Sequence, residues 1–396
     1  MRKTVLLLFG LISTFFVFAQ SSVKLSGYIQ PQYQYGEKDA TLKVGAPNEN
    51  PDESFSRIGI RRGRVIMSAT DGNLVSGAFQ VELNEKSLAL KEASISIKDP
   101  WINTLQVRAG AFNRPFGNEI SYLITLLESP ERSILCQTLF VEEQDVGAML
   151  ILQPAKTSAW NILKLEAGLF SGNGVKQETD SRRDFIGHLS IAKTVDSKFS
   201  YGAGVSYYNA SVYQGTENVY KMNGKGFELN SDASNKGRFA KREYVGFDLQ
   251  LKLDGSFGIT QLRTEYLFGQ QPGTAGSSKS PNASVLPSVD TYIRNFNGAY
   301  VIFVQDLGSL PFSAVLKYEW YDPNTKVSGN EIGENDTSKT DLRYDTFGFG
   351  ALWKINDALR LQAYYEMNRN ETTANIANMD RDLQDNVFTL RLQYKF

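Results

Sequence analysis

The chain has 396 residues, 42 Lys and Arg against 43 Asp and Glu, one His and one Cys. So even a charge balance gives no electrostatic footprint for nucleic acid, a single cysteine excludes an internal disulfide framework, and one His with one Cys leaves no ordinary metal-ligand set. Aromatic residues are 12% of the chain, with 33 glycines, a composition suited to one large β domain.

Arg2 and Lys3 precede an apolar run over 5–18, and Val17-Phe18-Ala19 offers a cleavage site. This pattern predicts a signal peptide over 1–19, with the mature domain, 20–396, exported. Removing Arg2 and Lys3 leaves 40 basic and 43 acidic residues, a net charge of −3. No long apolar stretch follows, so the mature chain has no candidate transmembrane helix.

From Val23 onward one unit repeats, a run of alternating polarity closed by a polar break. The expected strands are 23–35, 57–69, 74–84, 88–98, 104–113, 145–153, 160–171 and 183–195, then 198–210, 241–254, 256–270, 290–306, 311–321, 341–355, 358–369 and 384–396. The last shows the pattern most plainly. Phe388, Leu390, Leu392, Tyr394 and Phe396 share one face, while Val387, Thr389, Arg391, Gln393 and Lys395 share the other, as a period of two requires. At an open edge in water such a strand invites aggregation. A closed barrel in a bilayer leaves no backbone unpaired.

The breaks sort by parity. Those after even-numbered strands are short, Asp254-Gly255 and Asn356-Asp357 among them; most after odd-numbered strands are long and polar, at 36–56, 114–144, 172–182, 211–240, 271–289, 322–340 and 370–383. An even strand count with turns on one side and loops on the other is the layout of bacterial outer-membrane barrels. The sequence therefore predicts an all-β, 16-stranded antiparallel transmembrane β-barrel in the outer membrane of a Gram-negative bacterium, with lipid outside and a wet lumen.

The strand 57–69 breaks its own alternation, because Ile58 and Ile60 share a phase with Arg62 and Arg64. A lipid-facing arginine near the midplane costs about 2–4 kcal/mol. One bulge at Arg61/Arg62 resolves the conflict and turns Arg57, Arg61, Arg62 and Arg64 into the lumen. Guanidiniums in a row suit phosphate or carboxylate; they equally suit pairing with acids such as Glu82 and Glu92. Both readings stay open.

The third loop, 113–144, carries a helix-like segment over 119–127 with one apolar side. It is expected to fold inward and narrow the pore. Glu119, Glu128, Glu131, Glu142, Glu143 and Asp145 oppose Arg114 and Arg132 there, a net of −4 over 113–145. In the fifth loop Lys221, Lys225, Lys236, Arg238, Lys241 and Arg242 oppose Glu228 and Asp232, which predicts a basic outer vestibule.

Arg61-Arg62-Gly63-Arg64, the stretch Arg108-Ala109-Gly110-Ala111-Phe112-Asn113-Arg114-Pro115-Phe116-Gly117, then Glu131-Arg132-Ser133 and Asp145-Val146-Gly147 resemble the phosphate-selective porin O/P family in order and spacing. The resemblance implies a homotrimeric porin whose lumenal arginines and lysines pass small anions, with Arg61, Arg62 and Arg64 as the counterparts of its arginine ladder; Arg57, Arg108, Arg114 and Arg132 are further candidate pore residues, and no cofactor is expected. The chain departs from that pattern at Gln144, where a basic residue is expected, and in its lumenal lysines. Phosphate specificity is thus not implied. The runner-up is a non-specific or cation-leaning porin whose arginines pair with the loop acids. A barrel enzyme built on His188, with Ser190 on the same face, lacks an oriented third member; His188 reads as a solvated lumenal residue.

Overall fold

The computed structural model describes residues 22–396; the expected signal peptide, 1–19, lies outside them. Eighteen strands form one sheet: β1 (Ser22–Gly36), β2 (Phe55–Asp71), β3 (Val75–Leu83), β4 (Leu88–Lys98), β5 (Leu105–Asn113), β6 (Gln144–Leu152), β7 (Leu163–Phe170), β8 (Asp184–Thr194), β9 (Phe199–Tyr213), β10 (Asn218–Asn223), β11 (Gly226–Ser231), β12 (Phe239–Gly255), β13 (Gly258–Gly273), β14 (Thr291–Asp306), β15 (Phe312–Asp322), β16 (Tyr344–Lys354), β17 (Leu359–Asn370) and β18 (Val387–Lys395). Sixteen of them make the barrel. Each pairs antiparallel with its neighbours, β9 pairs with β12, and β1 closes the circle by pairing with both β2 and β18. The other two, β10 and β11, are a hairpin inside the fifth loop, and β10 runs parallel to the start of β14 through Val219–Lys221. The sequence marks that hairpin with Asn223-Gly224, but the expected loop at 211–240 did not include it. Gly224 takes a positive φ of 59° in its turn.

The alternation builds two different faces. Leu150, Leu189, Phe247 and Leu316 are about half exposed on the outside, whereas Gln362, Thr389 and Arg391 are buried inside. One turn is displaced from its expected place. Gly255 pairs with Gly258, so Ser256 and Phe257 form the tip rather than Asp254-Gly255. Gly258 takes the positive φ, 106°.

The bulge in β2 is present: Gln30 pairs with Arg62 and Pro31 with Ile60, which leaves Arg61 unpaired. Ile58, Ile60, Val65 and Met67 are exposed outside. A second bulge, not expected, lies in β4, where Gln80 pairs with Glu92 and Val81 with Leu90. Lys91 is its extra residue.

Candidate pore and constriction

Loop 3 (114–143) enters the lumen because its apolar side chains find a partner only there. Its helix is α1 (Ile134–Leu139), later than the expected segment at 119–127, which forms only a 3-10 turn at Ile124–Leu126. Side chains take the backbone groups a longer helix needs. Glu265 accepts from the N–H of Asn118 (2.7 Å) and of Glu119, while Arg132 donates to the carbonyls of Glu119, Ile120 and Tyr122. Ser133 caps α1, accepting from the N–H of Cys136 at 3.2 Å, a helix-start signal legible in the sequence.

The helix lies on an aromatic bed supplied by the wall. Leu135, Leu139 and Phe140 join Phe112, Phe170, Tyr208, Tyr244 and Phe296 in one buried cluster. Tyr208 and Tyr244 meet edge to face at 5.1 Å. Each fully buried aliphatic or aromatic side chain contributes about 1.5–3 kcal/mol, so the loop is seated firmly at this end.

Glycine is required where loop 3 leaves the wall. Gly117 has φ 59°, and a Cβ there would stand 2.4 Å from the Glu265 carboxylate. Its N–H donates to Ser206 at 2.8 Å. Gly110, with φ 120°, lets β5 approach the Ala93 carbonyl, which a Cβ would meet at 2.1 Å. The Arg108–Gly117 stretch thus owes two of its glycines to close backbone approach.

Charge holds the far end of the loop. Glu131 receives Arg61 at 2.8 Å, Arg62 at 2.5 Å and Arg391 at 2.8 Å. Burial alone would raise its carboxyl; the three guanidiniums outweigh that and hold it well below the usual carboxylate range. Arg64 pairs with Glu82 at 2.5 Å, and Arg62 reaches the same carboxylate at 4.0 Å. Four guanidiniums therefore share two carboxylates. Elsewhere Glu128 pairs with Arg263 of β13, Glu119 takes the N–H and hydroxyl of Ser133 at 2.7 and 2.5 Å, and Arg114 meets Asp145 at 3.1 Å. Arg132 pairs with Glu143 at 2.7 Å; burial would raise the Glu143 carboxyl, and Arg132 brings it below its ordinary value. Glu142 sits 3.8 Å from Lys176 of loop 4.

The expected ladder is thus divided. Arg61, Arg62 and Arg64 cluster in the lumen. The Arg57 side chain, from β2, is held by loop 1 instead, where it pairs with Glu49 and donates to the carbonyls of Ala46 and Pro47. Arg108 pairs with Glu92, itself held by Ser94 and Gln80. The basic vestibule is also divided. Arg242 is buried against Asp184, Lys225 pairs with Glu331 of loop 7 at 3.0 Å, and Lys241 pairs with Glu243 at 2.8 Å. Sequence reading missed Arg391, Arg263 and Lys91. Arg391 was legible as the charge in the middle of the lumenal phase of β18, with Lys395 at its end; nothing in the sequence pointed to its bond with loop 3.

Between loop 3 and the wall of β2–β8 lies a cavity of about 300 Å³, lined by Arg64, Lys91, Arg108, Arg114, Arg132 and Lys164 against Glu92, Glu143 and Glu166. His188 lines it too. It is buried rather than solvated, with Nε2 2.9 Å from Asp248. Asp248 orients the ring, but the hydrogen bonds of His188 include no nucleophile.

A closed barrel with an apolar exterior, a charged interior and an inserted third loop defines an outer-membrane β-barrel of porin architecture. The fold is similar to that of the outer membrane protein OmpF of Salmonella typhi, solved in complex with daunomycin, at 11% identity and TM-score 0.57 over 94% of this chain and 97% of that one. It is similar to the outer membrane channel DcaP of Acinetobacter baumannii at 13% identity and TM-score 0.56, over 95% and 97%. OmpT of Vibrio cholerae, an outer membrane protein solved in a trimer form, matches at 11% identity and TM-score 0.53, over 95% and 99%. At these identities the likeness is one of fold. No protein-family model and no curated protein matches the sequence.

Proposed function

We propose that the chain is a porin, a water-filled diffusion channel for small hydrophilic solutes that prefers small anions, phosphate among them. The observation that carries the preference is the shared cluster: Arg61, Arg62, Arg64 and Arg391 against Glu82 and Glu131, a net of two positive charges. The motifs that resemble the phosphate-selective O/P family support the same reading. A cation-leaning or non-specific porin is the second reading, favoured by the fact that each of these arginines touches a carboxylate.

The proposed assembly is a homotrimer, in keeping with the trimer form solved for OmpT of Vibrio cholerae. The outer face supports it. Exposed aromatics such as Phe247, Phe268, Tyr318, Phe349 and Tyr394 ring β8–β18, whereas among the described residues Phe79 is the one exposed outward aromatic on β2–β7. Aromatic girdles mark lipid interfaces. A face whose strands are poor in them, its other exposed aromatics Trp101 and Trp160 lying in the turns, while presenting Ile95, Ile97 and Leu150, fits a second copy of the chain.

Planar-bilayer recording tests the function. In a salt gradient the reversal potential is expected to show anion preference, and added phosphate to reduce the chloride current. A non-conducting barrel, or a strong cation preference, overturns it.

A further inference from the structure

We infer that Lys91 is a selectivity-determining residue of the lumen, the charge that attracts small inorganic anions into the cavity between loop 3 and the wall. The inference deepens the channel reading and rests on it.

Strict alternation would place Lys91 outside, in phase with Ala93, Ile95 and Ile97. The bulge between Leu90 and Glu92 changes that. Leu88 stays outside, 67% exposed, Glu92 is buried on the inner side, and Lys91 lines the cavity. An extra residue in a barrel wall re-aims one side chain while leaving the flanking ones in phase. Here the side chain spared the lipid is a cation.

Its surroundings leave that cation without an ion pair, the nearest influence being Glu143 across the cavity, whose carboxyl burial raises and which Arg132 lowers first and Lys91 after it. Every other basic residue lining the cavity contacts a carboxylate: Arg64 with Glu82, Arg108 with Glu92, Arg114 with Asp145, Arg132 with Glu143 and Lys164 with Glu166. Lys91 makes no ion pair among the described residues. The carboxylates on its own hairpin are committed, Glu82 to Arg64, Glu92 to Arg108, Gln80 and Ser94, and Glu85 in the turn to the N–H groups of Gly45 and Ile60. A closely paired guanidinium and carboxylate present a dipole, whose field fades faster than that of a lone charge. An ammonium also lacks the rigid fork of a guanidinium. It draws a small anion without gripping it at two points, which suits passage more than storage.

The test uses the full barrel in planar bilayers under a potassium chloride gradient. Lys91→Gln is expected to lower the anion-to-cation permeability ratio about threefold, the scale for one unit charge near an ion path through a wet, salt-screened lumen. Lys91→Cys should behave likewise. Modification with an aminoethyl thiosulfonate should restore the wild-type ratio, and a sulfonatoethyl reagent should depress it further. Cys136 is buried at 4% exposure and stays out of reach of the reagent. Heat-modifiable migration on a gel verifies that each variant is folded. A wild-type barrel that does not conduct overturns both the channel reading and this one. Conduction with a reversal potential indifferent to Lys91→Gln, or to the sign of the attached group, overturns this one alone.

Discussion

Glu131→Gln isolates the electrostatics of the constriction. Three guanidiniums converge on this carboxylate at 2.5–2.8 Å, and each contact is worth about 6 kcal/mol gross at an effective dielectric near 20. Desolvation of the buried partners offsets most of that, and removing one side of a buried pair costs about 3–5 kcal/mol. Because the Arg61 side chain is 19% exposed, the lower end applies. The loss falls on the anchorage of loop 3, since the ladder between strands does not pass through Glu131. The charge change is separate. The cluster of Arg61, Arg62, Arg64 and Arg391 goes from two net positive charges to three, with Glu82 the remaining carboxylate. Single-channel recording should therefore show noisier open current together with a two- to fivefold rise in the anion-to-cation permeability ratio, the order expected of one unit charge in a wet lumen. A shift toward cations would refute the reasoning, because it would mean the arginines collapse onto other carboxylates once Glu131 is neutral.

Other consequences follow from local geometry. Burial pushes the Asp385 carboxyl, in the last outer loop, from 3.8 up to about 6, with Asp382, Asp39 and Glu37 adding to the effect. A raised value means stability that is full at low pH and lost as pH rises from about 4 through 6; after discounting for partial exposure the change is about 1 kcal/mol. Hydrogen exchange of 370–386, corrected for intrinsic rates, should be slower at pH 5 than at pH 7, and Asp385→Asn should abolish the difference. Gly117→Ala forces a Cβ into the Glu265 carboxylate at a positive φ, a cost of about 1–3 kcal/mol. It should expose loop 3 to limited proteolysis while the barrel still migrates as folded; unchanged resistance counts against the tight fit. Ile95→Arg, on the outer face of β4, should dissociate oligomers in mild detergent, while Leu316→Arg on β15 should leave them intact. Equal behaviour of the two would remove the assignment of the β2–β7 face to a second copy.

Most of the barrel was legible because its code is local. A strand declares its two faces by alternation, and a lumenal Arg391 or Thr389 needs no distant partner to be placed. Loop 3 was legible only in outline. That it turns inward follows from its apolar content, but where its helix forms depends on which side chains capture its backbone groups. Glu265 lies on β13 and Arg132 within the loop itself, so no window around 119–127 contains the competition that ends helix formation there. The net charge of loop 3 misled for the same reason. Its acids are not free in the pore: Glu128 is held by Arg263 from β13 and Glu131 by Arg391 from β18.

The two bulges show how far local reasoning reaches. In β2 a conflict of phase between isoleucines and arginines located the bulge at Arg61/Arg62, and the pairing leaves Arg61 as the extra residue. The same conflict stands in β4, where Leu88 and Leu90 are out of phase with Ile95 and Ile97, and Lys91 occupies the position of the break. One rule covers both. When a charge falls in the lipid phase and the apolar residues before it change phase, an inserted residue restores both halves of the strand and sends the charge inward. The cost of a lysine or arginine facing lipid, about 2–4 kcal/mol near the midplane, exceeds the loss of one ladder hydrogen bond, about 0.5–1.5 kcal/mol, so the bulge wins. A barrel wall can thus carry more charge inward than strict alternation allows, and the residues gained in that way are Arg61, which holds Glu131 of loop 3, and Lys91, which lines the cavity.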